Sequence, residues 1–167
     1  MRCFIACFVD NDAVELAYRC PRINGVRWLA PENLHATLRF LGEIDELQVM
    51  QINKLILTLK GTSVATTVSG LDGFPRRRRA RVVVARLAAA PLLETWARRL
   101  AETLGEPDRP FVPHVTLGRS RGGASIPDAP SLTGFGIVLS APALYESVLA
   151  SSGASYRRVS SVGDSAE

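Results

Sequence analysis

The chain contains two histidines, His35 and His114, and both stand in the same local pattern. Each is followed at the second position by a threonine, Thr37 or Thr116, and at the third by a leucine. If positions were independent, this coincidence would have a probability on the order of 10⁻⁵. The repeated His-x-Thr-Leu pattern is therefore the strongest indication of chemistry in the sequence.

A histidine and a threonine two positions apart share one face of a strand, because side chains alternate between its two faces. Histidine titrates near neutral pH, so two facing imidazoles suit a reaction that removes one proton and delivers another. The neighbouring hydroxyls can donate to phosphate oxygens without adding charge. A single His-x-Thr is more often a structural, partly buried histidine. Two copies, with no other histidine in the chain, favour a catalytic pair.

A metal site is the alternative use of paired histidines. It would need a third ligand, and no Asp, Glu or Cys stands two or four positions after either histidine. The sequence therefore predicts catalysis without a metal ion, and we expect no cofactor. The cysteines Cys3, Cys7 and Cys20 form no C-x-x-C pair, so we expect reduced structural thiols.

Length and composition are those of an ordinary globular protein. The chain has 167 residues, of which 47% are hydrophobic and 22% are charged. These values predict one domain over 1–167 and exclude a disordered or collagen-like chain. The apolar stretches are too short for a membrane helix, and the N-terminus lacks the apolar core of a signal peptide. We therefore expect a monomeric cytoplasmic protein without membrane contact.

The positive charge of the chain is concentrated in one run. The formal net charge is +4, and this run alone contributes five positive charges, so the rest of the chain is slightly negative. Such a run is either a solvated loop or a surface that binds a phosphate-bearing partner. Its members are Arg76, Arg77, Arg78, Arg79 and Arg81.

Apolar periodicity predicts strands that alternate with helices, and some strands that follow one another directly. This order indicates an α+β fold with largely antiparallel sheets. We expect Gly42 to end a strand, Gly61 to end a helix, a helix opened by Pro91 with Leu92, Trp96 and Leu100 on one face, and a frayed tail over 160–167. The predicted strands are 2–9, 26–29, 34–40, 63–71, 81–87, 112–119, 137–149 and 156–159, and the other helices end near Cys20 or cover 44–59.

The motifs, taken in order, resemble those of the 2H phosphoesterase superfamily. Within it the chain is most similar to the bacterial RNA 2′,3′-cyclic phosphodiesterases, historically called 2′-5′ RNA ligases. The match covers about residues 2–158. The residues that carry it are Arg2, Phe4, Ile5 and Ala6; Trp28; Asn33, His35, Thr37, Leu38, Phe40, Leu41 and Gly42; Pro113 to Leu117 with Arg119; and Glu146, Ser147, Leu149, Gly153, Ala154 and Tyr156.

The resemblance implies a bilobal fold with pseudo-two-fold symmetry and one His-x-Thr motif on each side of a central cleft. It implies hydrolysis of a terminal RNA 2′,3′-cyclic phosphate to a 2′-phosphomonoester, without a metal. His35 would be the proton donor, His114 the proton acceptor, and Thr37 and Thr116 would hold the phosphate. The partner is then an RNA or oligonucleotide that ends in a cyclic phosphate.

Further residues are candidates for substrate binding. Arg39 and Arg119 follow the two motifs, and regular strand alternation would place only Arg39 on the same face as its histidine. Trp28, Phe74 and Phe111 could stack on a nucleobase, although a core position is the commoner role of an aromatic residue. Arg76, Arg77, Arg78 and Arg79 could bind an RNA backbone.

Four alternatives remain at this point. The same fold could support a 2′-5′ RNA ligase, a 2′-5′ phosphodiesterase or a phosphodiesterase of small cyclic nucleotides. A protein of a different class, a non-catalytic RNA-binding module, would use the arginine run without the histidines. Both intact His-x-Thr patterns argue against that module.

Overall fold

A computed structural model describes residues 1–151 and 153–160. This part of the chain forms two antiparallel sheets and three α-helices, which confirms the expected α+β class. The expected fraying of the tail falls almost entirely outside the described residues. The elements are β1 (Arg2–Phe8), α1 (Ala13–Arg19), β2 (Arg27–Trp28), β3 (His35–Glu43), α2 (Glu46–Thr58), β4 (Val64–Phe74), β5 (Ala80–Leu87), α3 (Pro91–Leu104), β6 (His114–Ala124), β7 (Gly136–Leu139), β8 (Ala143–Ala150) and β9 (Gly153–Arg158).

Each sheet contains one of the two histidine motifs. The first sheet has the strand order β3-β1-β8-β9, and the second has the order β2-β6-β5-β4-β7. His35 is the first residue of β3, and His114 is the first residue of β6. The two strands also lie against each other across the two sheets. The fold thus brings the two motifs to one place from opposite sides.

The starts of α2 and α3 each have a residue that is typical of a helix N-terminus. At the start of α2, the Asp45 side chain accepts a hydrogen bond from the Gln48 amide, and the Gln48 side chain accepts one from the Asp45 amide. α3 starts at Pro91, which has no amide hydrogen, so the first turn of the helix has one fewer unpaired donor. The Trp96 Nε1–H of α3 donates to the Leu59 carbonyl at the end of α2, at 3.2 Å, and so joins the two helices.

Several predicted boundaries are wrong for local reasons. The buried face of α3 is formed by Leu93, Trp96 and Leu100, whereas Leu92 is 41% exposed, because the first apolar residue after Pro91 points outward. The predicted strand over 137–149 is two strands in different sheets, separated at Pro142, which has no amide hydrogen for a ladder. The predicted strand over 112–119 instead runs as β6 to Ala124.

Two glycines do not play the roles predicted for them. β3 continues through Gly42, because an extra residue at Leu41 forms a bulge and the strand pairing resumes beyond it. α2 ends at Thr58, and Lys60, not Gly61, adopts the left-handed conformation after it. Gly61 instead packs directly against Pro142, which lies in the segment between β7 and β8.

The core is a continuous cluster of apolar side chains between the sheets and the helices. Ile5, Leu16, Val83, Leu93 and Leu132 are among its members with no exposed surface. Of the helices in residues 1–151 and 153–160, none has both the length and the apolar character needed to cross a bilayer.

The contact between Gly61 and Pro142 generates a stability prediction. A Cβ atom on Gly61 would lie 2.3 Å from Pro142 Cδ, so the proline ring would have to move. We expect Gly61→Ala to lower the free energy of unfolding by about 1–3 kcal/mol, measured by urea denaturation. The control is Gly136→Ala on β7, where a new Cβ meets no heavy atom within 4 Å. Equal stability of the two variants would contradict this packing.

Candidate active site

Both imidazoles are fixed by the same hydrogen bond. His35 Nδ1 lies 2.7 Å from the carbonyl oxygen of Asn33, and His114 Nδ1 lies 2.6 Å from the carbonyl oxygen of Val112. A carbonyl can only accept, so Nδ1 carries the hydrogen in each neutral ring and Nε2 keeps its lone pair. Each ring can therefore accept a proton at Nε2.

The residues before each histidine position the accepting carbonyl. Pro31 starts a single 3₁₀ turn that ends at Asn33, and the Leu34 amide donates back to the Pro31 carbonyl at 3.2 Å. The Asn33 side chain also donates to the Ala154 carbonyl on β9, at 3.4 Å. In the second sheet, Pro113 follows Val112, and a residue before proline is restricted to extended backbone. Both carbonyls are thus held by local backbone geometry.

The His35 side chain is buried among aromatic rings. The side chain is 9% exposed, and the rings of Phe4, Phe8 and Tyr156 lie 5.1, 4.8 and 4.9 Å from the imidazole. Burial lowers the pKa of His35 to about 4; its bond to Asn33 opposes this, and the charges of His114 and Arg119 add to the lowering. His35 is neutral at pH 7 in the free protein. The charges of His114 and Arg119 act on His35 from the opposite sheet, whose strand β6 lies against β3.

His114 is less enclosed and has a charged neighbour. Burial lowers the pKa of His114, its hydrogen bond to Val112 opposes the shift, and the Arg86 guanidinium lowers the pKa further. Arg86 is paired directly with His114 across β5 and β6, and it is held by an ion pair of 3.1 Å to Asp72. The Phe74 ring meets the imidazole edge-on at 5.3 Å. Sequence reasoning missed Arg86, because its proximity to His114 depends on strand register and no local pattern indicates it.

Each motif is followed by a one-residue bulge that changes which later residue faces the cleft. In β3, Thr37 pairs with Ala6 and Arg39 pairs with Ile5, so Leu38 is the extra residue. In β6, Thr116 pairs with Val84 and Gly118 with Val83, so Leu117 is the extra residue. Both threonines stay on the histidine face, and regular alternation fails beyond them.

The expectation that Arg39 shares the His35 face is wrong, because the bulge at Leu38 reverses its direction. The Arg39 guanidinium donates to the carbonyls of Gly105, at 2.6 Å, and Leu104, at 3.3 Å. These carbonyls end α3, where a positive charge is favourable to the helix dipole. The structure accounts for Arg39 by this contact with α3.

Arg119 is placed on the cleft side by the equivalent bulge. It pairs with Val82 and is exposed, and its charge lowers the pKa of His35 in the opposite sheet. Sequence reasoning had excluded Arg119 from the histidine face. Of the two arginines that follow the motifs, it is therefore Arg119 whose strand position lies on the face of its histidine.

The three aromatic candidates have different environments. Phe111 is half-buried against the hydrophobic core, which favours a packing role. Trp28 is 37% exposed and pairs with Gly118, where a Cβ would lie 2.7 Å from Val26 and 2.9 Å from the Arg27 carbonyl. The glycine thus allows β2 to approach β6. Of the three, Phe74 is the one whose ring contacts a histidine, His114.

The two sides of the cleft differ in chemistry. We call the residues around His35 the aromatic wall: Phe4, Phe8, Phe40, Tyr145 and Tyr156, whose rings lie 4.3–6.3 Å from neighbouring rings of the set. Phe40 is 75% exposed and lies 6.3 Å from Phe4, so the bulge that removes Arg39 brings Phe40 to this face. Sequence reasoning did not select Phe40 for a site role.

We call Arg27, Arg86 and Arg119 the basic wall. They lie on adjacent strands of the second sheet, where Arg27 pairs with Arg119 and Arg86 pairs with His114. The Arg27 guanidinium reaches across to β9, 3.6 Å from the position that a Cβ on Gly153 would take. An anion in the cleft would meet its positive charge mainly from this side.

Metal binding by the two histidines would need a third ligand nearby. Within 1–151 and 153–160, no three His, Cys, Asp or Glu side chains cluster in a way that could hold a metal ion. The two imidazoles therefore do not belong to a three-ligand cluster of these residue types within the described residues.

The arginine run lies between β4 and β5 and is not uniform. Arg77 is turned towards the protein, where it donates to the carbonyls of Leu71 and Ile126 and lies near the carboxylates of Asp72 and Asp128. The Arg77 guanidinium thus holds the turn through these contacts, while its predicted binding of an RNA backbone stays a prediction. All four residues from Arg76 to Arg79 are exposed, and Arg76, Arg78 and Arg79 have no carboxylate of the described residues within 4.0 Å.

Comparison with known proteins agrees with this architecture. The family described as LigT-like phosphoesterase matches residues 9–84. RNA 2′,3′-cyclic phosphodiesterases from Thermotoga maritima and Archaeoglobus fulgidus are 32% and 30% identical over 130 and 127 residues, which is 71% of this chain in both cases and 70% and 72% of the relatives.

Solved structures show the same similarity over nearly the whole chain. The protein TT0787 of Thermus thermophilus is 29% identical, with a TM-score of 0.79 and 96% of both chains covered. Apo LigT of Escherichia coli is 26% identical, with a TM-score of 0.76 and coverage of 95% of this chain and 94% of that one. Two sheets that each contribute one His-x-Thr strand to a shared cleft, together with these similarities, show that the chain belongs to the LigT-like phosphoesterase family.

Proposed function

We propose that the chain is an RNA 2′,3′-cyclic phosphodiesterase that hydrolyses the cyclic end to a 2′-phosphomonoester. The observation that carries the proposal is the pair of imidazoles, each fixed through Nδ1 at the start of β3 or β6, two strands of different sheets that lie against each other. Relatives at about 30% identity have this activity in their names. A site that only bound RNA would not require two oriented proton acceptors.

The difference between the two walls supports one substrate orientation. A cyclic phosphodiester has one negative charge, which the basic wall would attract, above all through Arg119. The ribose and base would then lie on the aromatic wall, where Phe40 is exposed for stacking. Thr37 and Thr116 would donate to the non-bridging phosphate oxygens from opposite sides.

This orientation gives each histidine a role. His114, beside Arg86, would accept a proton from water as the water oxygen attacks phosphorus, and the P–O3′ bond would break. His35, on the ribose side, would deliver a proton to the departing O3′. His35 is neutral in the free protein, so it must gain that proton when the phosphate anion binds, because a nearby negative charge raises the pKa of an imidazole.

The proposed activity needs only one copy of the chain. Both histidines come from one chain, so a monomer suffices, and we propose that 1–167 acts as a single domain. The substrate would be an RNA or oligonucleotide with a 2′,3′-cyclic phosphate end. We place the activity in the cytoplasm, where the free thiols of Cys3, Cys7 and Cys20 would remain reduced.

Replacement of either histidine tests the acid and base roles. We expect His35→Ala and His114→Ala each to lower kcat on a nucleoside 2′,3′-cyclic phosphate by about 10²–10⁴-fold. The double variant should be little slower than the singles, because the two groups act as a unit. Circular dichroism and thermal melts serve as the control for folding. Near-normal turnover by a folded single variant would contradict the proposal.

The buried state of His35 predicts a pH dependence of stability. The folded pKa of about 4 lies below the unfolded value of 6.5, so the unfolded chain binds the proton first as the pH falls. The contribution of His35 to stability is therefore complete above pH 6.5 and is lost between pH 6.5 and 4, by about 3 kcal/mol. Urea denaturation at pH 4–7 should show a steeper loss for the wild type than for His35→Asn. Equal slopes would mean that His35 is not held neutral.

A further inference from the structure

The arginine run contains more charge than the proposed chemistry uses. Arg76 to Arg79 form the turn between β4 and β5, which contains a single 3₁₀ turn at Arg77–Arg79, and Arg81 is the second residue of β5. Arg77 fixes this turn through two carbonyls and two carboxylates, as described above. The other arginines are therefore presented from a fixed turn.

Four arginines form an exposed surface, which we call the arginine surface: Arg76, Arg78, Arg79 and Arg81. Among the described residues, no carboxylate lies within 4.0 Å of any of them, in contrast to Arg77 and Arg86. Three of them and Pro75 line a shallow depression of about 400 Å³. Four neighbouring guanidinium groups repel one another, so a bound polyanion would relieve a cost that the free protein carries.

The arginine surface is continuous with the cleft at both ends. Phe74 immediately precedes Pro75, and its ring contacts the His114 imidazole. Val82 immediately follows Arg81, and it pairs with Arg119 of the basic wall. A chain of phosphates that leaves the cleft on the His114 side would therefore pass from Arg119 along the start of β5 to the tip of the turn, where Arg76, Arg78 and Arg79 are exposed.

We propose that the arginine surface binds the phosphates upstream of the cyclic end of a single-stranded RNA, and so makes an oligonucleotide a better substrate than a mononucleotide. This inference rests on the proposed function and names its substrate class. Guanidinium groups suit this role because their planar donors match phosphate oxygens and stay charged at all relevant pH values. The chemistry step itself should not depend on these residues.

The test compares two triple variants with the same change in charge. Arg76→Gln, Arg78→Gln and Arg79→Gln remove three of the four charges of the arginine surface, and Arg77 is left to hold the turn. Lys54→Gln, Arg98→Gln and Arg99→Gln remove three exposed charges from α2 and α3 as the control. The substrates are RNAs of one, two, four and eight nucleotides with a 2′,3′-cyclic phosphate end, assayed over a range of salt concentrations.

In the wild type and the control, KM should fall with RNA length and should rise steeply with salt. For the longest RNA at low salt, the KM of the surface variant should be about 10–100-fold higher than that of the wild type. The slope of log KM against log salt concentration should be smaller by about 2, because three phosphate contacts are lost. The kcat and KM of the surface variant for the mononucleotide should match the wild type.

The outcomes separate the inference from the proposed function. A wild type that does not turn over the mononucleotide or the oligonucleotides would overturn the proposed function. Normal turnover with a KM that does not depend on length, or an equal loss of affinity in both triple variants, would overturn the inference alone. Loss of mononucleotide turnover in the surface variant would also overturn it, because the arginines would then belong to the catalytic cleft.

Discussion

The hydrogen bond from each histidine Nδ1 to the carbonyl two residues earlier is the constraint on which the site depends. It fixes the ring, selects the tautomer with Nε2 free, and requires the preceding backbone to be held. Proline supplies that hold on both sides, through the 3₁₀ turn at Pro31–Asn33 and through Pro113. The two sheets then need only to place β3 against β6 for the two rings to face one cleft.

The site combines a symmetric scaffold with asymmetric chemistry. Both motif strands start at the histidine, keep the threonine on the same face and then bulge by one residue. Beyond the bulge, Phe40 occupies one wall and Arg119 the other. The residues paired with the histidines show the same difference, because His35 pairs with the aromatic Phe8 and His114 pairs with the basic Arg86. Aromatic surface therefore collects around His35 and positive charge around His114, and this difference is the basis of the distinct roles proposed for the two imidazoles.

The sequence was sufficient for features that depend on local periodicity. The face shared by His35 and Thr37 follows from strand alternation, and most helices and strands follow from apolar spacing. It was not sufficient where one residue changes the register. The bulges at Leu38 and Leu117 reverse the expected directions of Arg39 and Arg119, and nothing in the local composition marks them. Arg77 likewise differs from its identical neighbours only because its guanidinium meets carbonyls and carboxylates that are distant in sequence.

The position of phosphate in the product tests the central claim most directly, because it reports which bond the oriented histidines break. Cytidine 2′,3′-cyclic phosphate can be incubated with the protein and the product followed by ³¹P NMR. If His35 delivers its proton to O3′ while His114 activates water, cytidine 2′-phosphate is the only product. Cytidine 3′-phosphate, or a mixture of the two, would contradict the account.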